Sequence, residues 1–277
     1  MAFRFLDKFW HKTLGRPYVL ARAIDIAGPG QSVVLLHGIG RTSRVWDHVV
    51  YGLAARGLHI VGLDLLGFGA SPKPDWPVYN SDDHADAVIA TIEKLELKTP
   101  LVLVGHSMGC LVAVRVARRR PDLVKHLVLF EMPLYEGLPH SRKYRLRTEL
   151  YIRFYKWVMG LHPTFDHETE RFVERLASKI AGLEVTPENW QPFVRSLENT
   201  IVKQTTAEDI KQLDMPMDVI YGRFDMLVIR GEPKKFFGNE KDHIKAFTVN
   251  ARHVISPSAS QFLVERILAA LAGKSGV

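Results

Sequence analysis

The chain has 277 residues, 47% hydrophobic and 24% charged, an ordinary balance for a globular protein long enough to bury a core without staples. Its one cysteine, Cys110, excludes an intrachain disulfide and suits a reducing compartment. The net charge of +7 invites a nucleic-acid partner, but zinc-ligand spacing, an RNA-binding aromatic signature and long Lys/Arg blocks are all missing, so none is expected.

At the N-terminus, Arg4, Lys8, Lys12 and Arg16 recur every four residues, with Phe5, Leu6, Phe9, Trp10 and Leu14 on the opposite side of a 3.6-residue period. Gly15 and Pro17 end the pattern. Residues 1–17 are therefore expected to form a basic amphipathic helix. It is a candidate for peripheral membrane contact through residues 1–16, or for packing on the domain or on a second subunit. Charges at Arg4, Asp7 and Lys8 interrupt any signal-peptide core. No run approaches the ~20 apolar residues that span a bilayer, so the cytoplasm is the expected location.

Tyr18 to Ile26 can supply one or two antiparallel edge strands. Short apolar runs then alternate with helical patterns. Ser32–Leu36, Leu58–Leu63, Leu101–Val104, Leu127–Phe130, Asp218–Tyr221 and Ile244–Val249 read as buried strands, as a parallel sheet covered on both faces requires. Ala85, Val88, Ile89, Ile92 and Leu95 mark a helical face after Ser81, and Pro257–Ala272 reads as a final helix. The expected fold class is α/β, a doubly wound, mostly parallel sheet. The alternation stops from 133 to 205, an aromatic-rich stretch broken near Gly160–Pro163 and Gly182–Pro187. It reads as an insertion of about three helices, with the sheet domain formed by 18–132 and 206–277. A basic cluster there, Arg142, Lys143, Arg145, Arg147, Arg153 and Lys156, holds one acid, Glu149. It fits a solvated helix face, or an anionic lipid or acidic acyl substrate.

Gly105-His106-Ser107-Met108-Gly109 has the form G-x-S-x-G between an apolar run and the helical pattern Leu111–Ala117. Strand, tight turn and helix are the setting in which a serine is lifted out of a sheet as a nucleophile. The turn strains the serine backbone, so its neighbours must lack bulk. His37-Gly38-Ile39-Gly40 follows an earlier strand. A tetrahedral intermediate needs N–H donors for its oxyanion. The N–H of Met108, at a helix start, and that of Ile39, in the earlier loop, are the candidates.

The order HGIG, DLLGFGAS at Asp64–Ser71, GHSMG, YGRFD at Tyr221–Asp225 and then His253 resembles the α/β-hydrolase superfamily over nearly the whole chain. The 133–205 insertion falls at that family's usual helical cap position. The resemblance implies Ser107 as nucleophile, His253 as general base and Asp225 as the acid that orients it. Glu131, at the end of a strand where some relatives carry the acid, is the alternative. His243 is the alternative histidine, although it precedes the last expected strand. Arg252 stands where relatives often carry glycine. His37, Gly38 and His106 are expected to shape the pocket, and Asp64 to brace its loop.

Neither a metal nor an organic cofactor is implied. A serine nucleophile sets the chain apart from the dehalogenases and epoxide hydrolases of this fold, which attack with aspartate. The expected activity is hydrolysis of carboxylic esters with an apolar acyl chain, through an acyl-enzyme. Cleavage of a C–C bond in vinylogous diketones, of lactones or of thioesters, and a non-catalytic receptor or scaffold role, are the alternatives.

Overall fold

The computed structural model describes residues 8–134, 149–150, 152–157, 160, 165–177, 182–225 and 242–273. Seven strands form one sheet in the order β1-β3-β2-β4-β5-β6-β7. They are β1 (Arg22–Ile26), β2 (Ser32–Leu36), β3 (His59–Leu63), β4 (Leu101–His106), β5 (Val124–Phe130), β6 (Met217–Gly222) and β7 (Ile244–Val249). β1 runs antiparallel to β3 and every other pair is parallel. Tyr18–Ile26 thus yields a single edge strand.

The alternation of side chains across the pleat divides the core in two. Val34, Leu36, Leu101 and Leu103 face one layer, while Val33, Leu35, Val102 and Val104 face the other. The α-helices that bear on the site are, in chain order, α1 (Asp47–Ala54), α2 (Ser81–Lys94), α3 (Met108–Arg119), α4 (His167–Ala177), α5 (Trp190–Ser196), α6 (Thr206–Lys211) and α7 (Pro257–Leu271). α2 and α3 cover the first face, α1 and α7 the second. Local chemistry sets the helix starts. Asn80 and Asp83 form a reciprocal capping box on α2, and Ser256 caps α7 ahead of Pro257.

After β2 the chain moves to β3 on one side, then returns to place β4 on the other side. Loops leaving β2 and β4 therefore diverge at their carboxyl ends. In open α/β sheets this reversal is where ligands bind.

The insertion includes α4, α5 and helical residues at 152–157, and α5 runs on into a π-helical stretch, Leu197–Val202. Trp190 stacks on Phe193 and meets Phe165 edge-on. Residues 142, 143, 145 and 147 of the basic cluster lie outside the described residues.

Of the N-terminal helix, only a π-helical turn, Phe9–Thr13, is described. The expected stop is present: Leu14 closes the turn and Gly15 takes a φ of 62°. Phe9, Trp10 and Leu14 are exposed, and the Arg16 guanidinium lies over the Trp10 ring. Among the described residues no helix is long and apolar enough to cross a membrane.

Candidate active site

Ser107 caps the amino end of α3 with φ 53° and ψ −122°. Few non-glycine residues adopt that backbone, which stores about 1–3 kcal/mol of strain and persists only where surroundings enforce it. Two glycines make it attainable by close approach. A Cβ on Gly109 would stand 2.4 Å from the Leu36 carbonyl oxygen, and one on Gly105 would stand 2.7 Å from the Cys110 Cα. The turn is tied to β5 by Ser107 N–H donating to the Phe130 carbonyl at 2.9 Å.

The loop after β7 brings His253 to Ser107. The imidazole Nε2 lies 2.9 Å from Ser107 Oγ, and Nδ1 lies 2.7 Å from Asp225 Oδ2. A carboxylate only accepts, so Nδ1 carries the proton and Nε2 is left to accept from the serine hydroxyl. Asp225 is 1% exposed and hangs from the turn after β6, where its own N–H donates to the Gly222 carbonyl. Arg252 is exposed and its backbone stays out of the left-handed region, so lacking glycine there does not disturb the loop. His243 sits just before β7, at the opposite end of the strand. The structure brings it nowhere near Ser107.

Of the two candidate acids, Asp225 is the one that holds His253 Nδ1, and Glu131 lies close by. Glu131 ends β5 fully buried, with φ 56°, and its Oε1 accepts the Gly222 N–H at 2.7 Å. Ligand atoms of Glu131, Asp225 and His253 all lie within 4.8 Å of one another, the one such convergence among the described residues. Both ring nitrogens of His253 are already engaged by Asp225 and Ser107, so a metal there would have to displace that line.

The β2 loop packs against the serine turn: a Cβ on Gly38 would lie 3.0 Å from Ser107 Cβ. Met108 is the first residue of α3, where an N–H has no acceptor within its own helix. Ile39, next to Gly38, is half-buried against the first core layer.

His37 is spent on structure. Its Nδ1–H donates to the Gly38 carbonyl and its Nε2 accepts from Leu65 N–H. Burial pushes its pKa down to about 4. His106 is fully buried beside Phe130, Trp46 and His253. Desolvation, then the neighbouring His253, keeps it neutral. Asp64 braces the loop as expected: Oδ1 accepts from Ser43 N–H and Oγ–H, and Oδ2 from Ala70 N–H.

Sequence reasoning missed two buried groups near these loops. Arg41, just past the HGIG stretch, is 5% exposed; burial pushes its pKa down to about 10, against the pull of Glu184. His84 on α2 is fully buried, reaches Ser196 Oγ of α5 at 3.1 Å, and is pushed down to about 3 by burial. For His84 the only signal was a titratable residue on an otherwise apolar helical face, and for Arg41 only its place directly after the HGIG stretch. Residues of the insertion lie over the β2 loop: Glu184 N–H donates to the Gly40 carbonyl, and Thr42 Oγ–H donates to the Glu184 carboxylate.

A sheet that reverses between β2 and β4, with a strained serine at the reversal, defines a class of protein. The model of the alpha/beta hydrolase fold matches residues 31–245, and the chain belongs to that family. Among curated relatives it is 31% identical over 116 residues to a probable lysophospholipase, BODYGUARD 4 of Arabidopsis thaliana. That match spans 42% of this chain and 28% of the relative. Among solved structures, an esterase from Thermogutta terrifontis superposes with a TM-score of 0.68 at 22% identity, covering 91% of this chain and 93% of the other. A haloalkane dehalogenase variant from Bradyrhizobium elkanii gives 0.70 at 21%, with 91% and 93% covered. At these identities the two structures share the fold and need not share the chemistry.

Proposed function

We propose that the chain is a cofactor-independent serine hydrolase that cleaves carboxylic esters. The observation that carries this is the hydrogen-bonded line Ser107 Oγ, His253 Nε2, His253 Nδ1, Asp225 Oδ2, at 2.9 and 2.7 Å, starting from a strained serine. Ser107 attacks the acyl carbonyl while its proton passes to His253 Nε2. Asp225 holds Nδ1–H and stabilises the imidazolium. The N–H groups of Met108 and Ile39 receive the oxyanion. His253 then protonates the leaving alcohol, and a water deprotonated by His253 releases the acid from the acyl-enzyme.

The helical insertion, 133–205, serves as a cap. The described aromatics Trp190, Phe193 and Phe165, stacked or edge-on within it, favour an apolar acyl chain. The name of the Arabidopsis relative, a probable lysophospholipase, supports an acyl ester among the substrates. Lactones, thioesters and vinylogous diketones offer the same electrophilic carbonyl and belong in the substrate panel.

The test is twofold. A fluorophosphonate probe should label Ser107 covalently. Ser107→Ala should abolish hydrolysis of p-nitrophenyl esters while preserving the circular dichroism spectrum, a loss of about 10⁶ in kcat. An alanine variant that keeps a tenth of the activity after removal of contaminating esterases would overturn the assignment, and a folded protein that neither labels nor hydrolyses would point to a receptor or scaffold.

A further inference from the structure

A carboxylate buried beside another carboxylate needs a reason. Glu131 is fully buried, and its backbone sits at φ 56°, a region that non-glycine residues occupy where function or tight surroundings demand it. Gly222 makes room for it: a Cβ there would stand 2.2 Å from Glu131 Oε1 and 2.5 Å from the Ala251 carbonyl oxygen. β5 and β6 are adjacent in the sheet, and Glu131 N–H donates to the Ile220 carbonyl as their ladder ends. The carboxylate therefore emerges beside the turn that carries Asp225, with its ligand atom within 4.8 Å of those of both His253 and Asp225.

We propose that Glu131 is a second acid of this site, sharing His253 with Asp225. The proposal rests on Ser107 and His253 acting as nucleophile and base. At rest Asp225 Oδ2 takes the Nδ1–H bond at 2.7 Å, while Glu131 holds the Asp225 turn through Gly222 N–H at 2.7 Å. When Ser107 gives its proton to Nε2, the imidazolium faces two carboxylates in a buried setting, where their charge is weakly screened. Nδ1–H stays on the ring throughout. If Asp225 cannot accept it, a side-chain rotation brings a Glu131 oxygen to the same proton.

Three variants test this on a short p-nitrophenyl ester. Glu131→Gln keeps an oxygen for Gly222 N–H, but it removes the charge and turns the second oxygen into a donor, so the pH profile is read beside kcat to separate a structural role from an electrostatic one. The expected result is a loss of about tenfold in kcat, with the acidic limb of the rate profile moved to lower pH and KM unchanged. Asp225→Asn should lose about 10², short of the ~10⁴ that follows loss of a lone acid. The double variant should fall by about 10⁴, more than the product of the two single losses, as coupled groups do.

Equal kcat for the double variant and Asp225→Asn would overturn the proposal, as would an unshifted acidic limb in Glu131→Gln. Glu131→Asp, which keeps the charge on a shorter arm, should hold the acidic limb in place even if it costs thermal stability. The underlying assignment fails separately: an active Ser107→Ala would remove both readings, while an inactive one with no coupling between the acids would remove this one alone.

Discussion

The two halves of the site are built on different scales. The half that carries Ser107 is local: β4, the strained turn and α3 are continuous in sequence, and the loop after β2 is pressed against them. The other half is dispersed over the ends of β5, β6 and β7. The Asp225–His253 hydrogen bond joins residues 28 apart in sequence, and that from Gly222 to Glu131 joins residues 91 apart. The first half is set by what cannot fit. The second is set by strand register, with Met217 paired to Leu127 on one side and to Ile244 on the other. A single added methyl can therefore wreck the nucleophile turn, whereas the acids depend on three strand ends staying in register.

The harshest way to break that contrast is Gly109→Ala. Its methyl would meet the carbonyl oxygens of Leu36 and His37, at 2.4 and 2.6 Å, backbone atoms at and just past the end of β2. Neither can rotate away. We expect a loss of about 3 kcal/mol, or about 10 °C in Tm. A melting curve within 2 °C of the parent would mean that the turn is softer than its geometry implies.

The same half can also be tested through pH. His37 and His106 are buried neutral, with His37 pushed down to about 4. The unfolded chain takes up protons near the ordinary histidine pKa of about 6.5, and the fold refuses them. These groups therefore contribute fully above about pH 6.5, and the contribution drains away as pH falls toward the folded value. The slope is about 1.4 kcal/mol per pH unit for each histidine. Urea unfolding at pH 7, 5.5 and 4.5 measures it. His106→Phe should flatten the slope by one proton, and an unchanged slope would remove His106 from the account.

The smallest effect concerns a region outside both halves. His11 stacks on Tyr18 with ring centroids 3.7 Å apart, and Trp76 Nε1–H donates to the Tyr18 hydroxyl. Exposed Phe9, Trp10 and Leu14 stand beside Lys12 and Arg16. We propose that this turn rests on anionic bilayers, at about 1 kcal/mol per basic residue near the surface. Deleting residues 1–15 should leave kcat on a soluble ester unchanged and abolish co-sedimentation with phosphatidylserine vesicles at low salt. An untruncated chain that stays in the supernatant would end the idea.

The same contrast decided what could be seen in the sequence. The GHSMG turn was legible because its steric demands fall on neighbouring residues, and the strand runs were legible because a sheet covered on both faces needs unbroken apolar stretches. Glu131 and Asp225 read as rivals because each follows a strand, and chain order carries no information on whether two strand ends lie side by side. Only the pairing of β5 with β6 puts both beside one imidazole. His84 escaped for a related reason: periodicity marks apolar faces, and a polar residue buried with them looks like an interruption; Arg41 lies in a loop, where no periodicity bears on burial.

Cys110 gives the protein a clock. The thiol lies in the first turn of α3, three residues past Ser107, fully buried, with Sγ–H directed to the Phe130 carbonyl. Burial pushes its pKa well up, so a thiol reagent finds no thiolate while the turn stays shut. Because this is the only cysteine in the chain, each alkylation event would count one opening of the floor beneath the nucleophile. The rate in dilute reagent then reads the free energy of that opening directly, and occupancy of the serine pocket would be visible as a slowing of the same reaction.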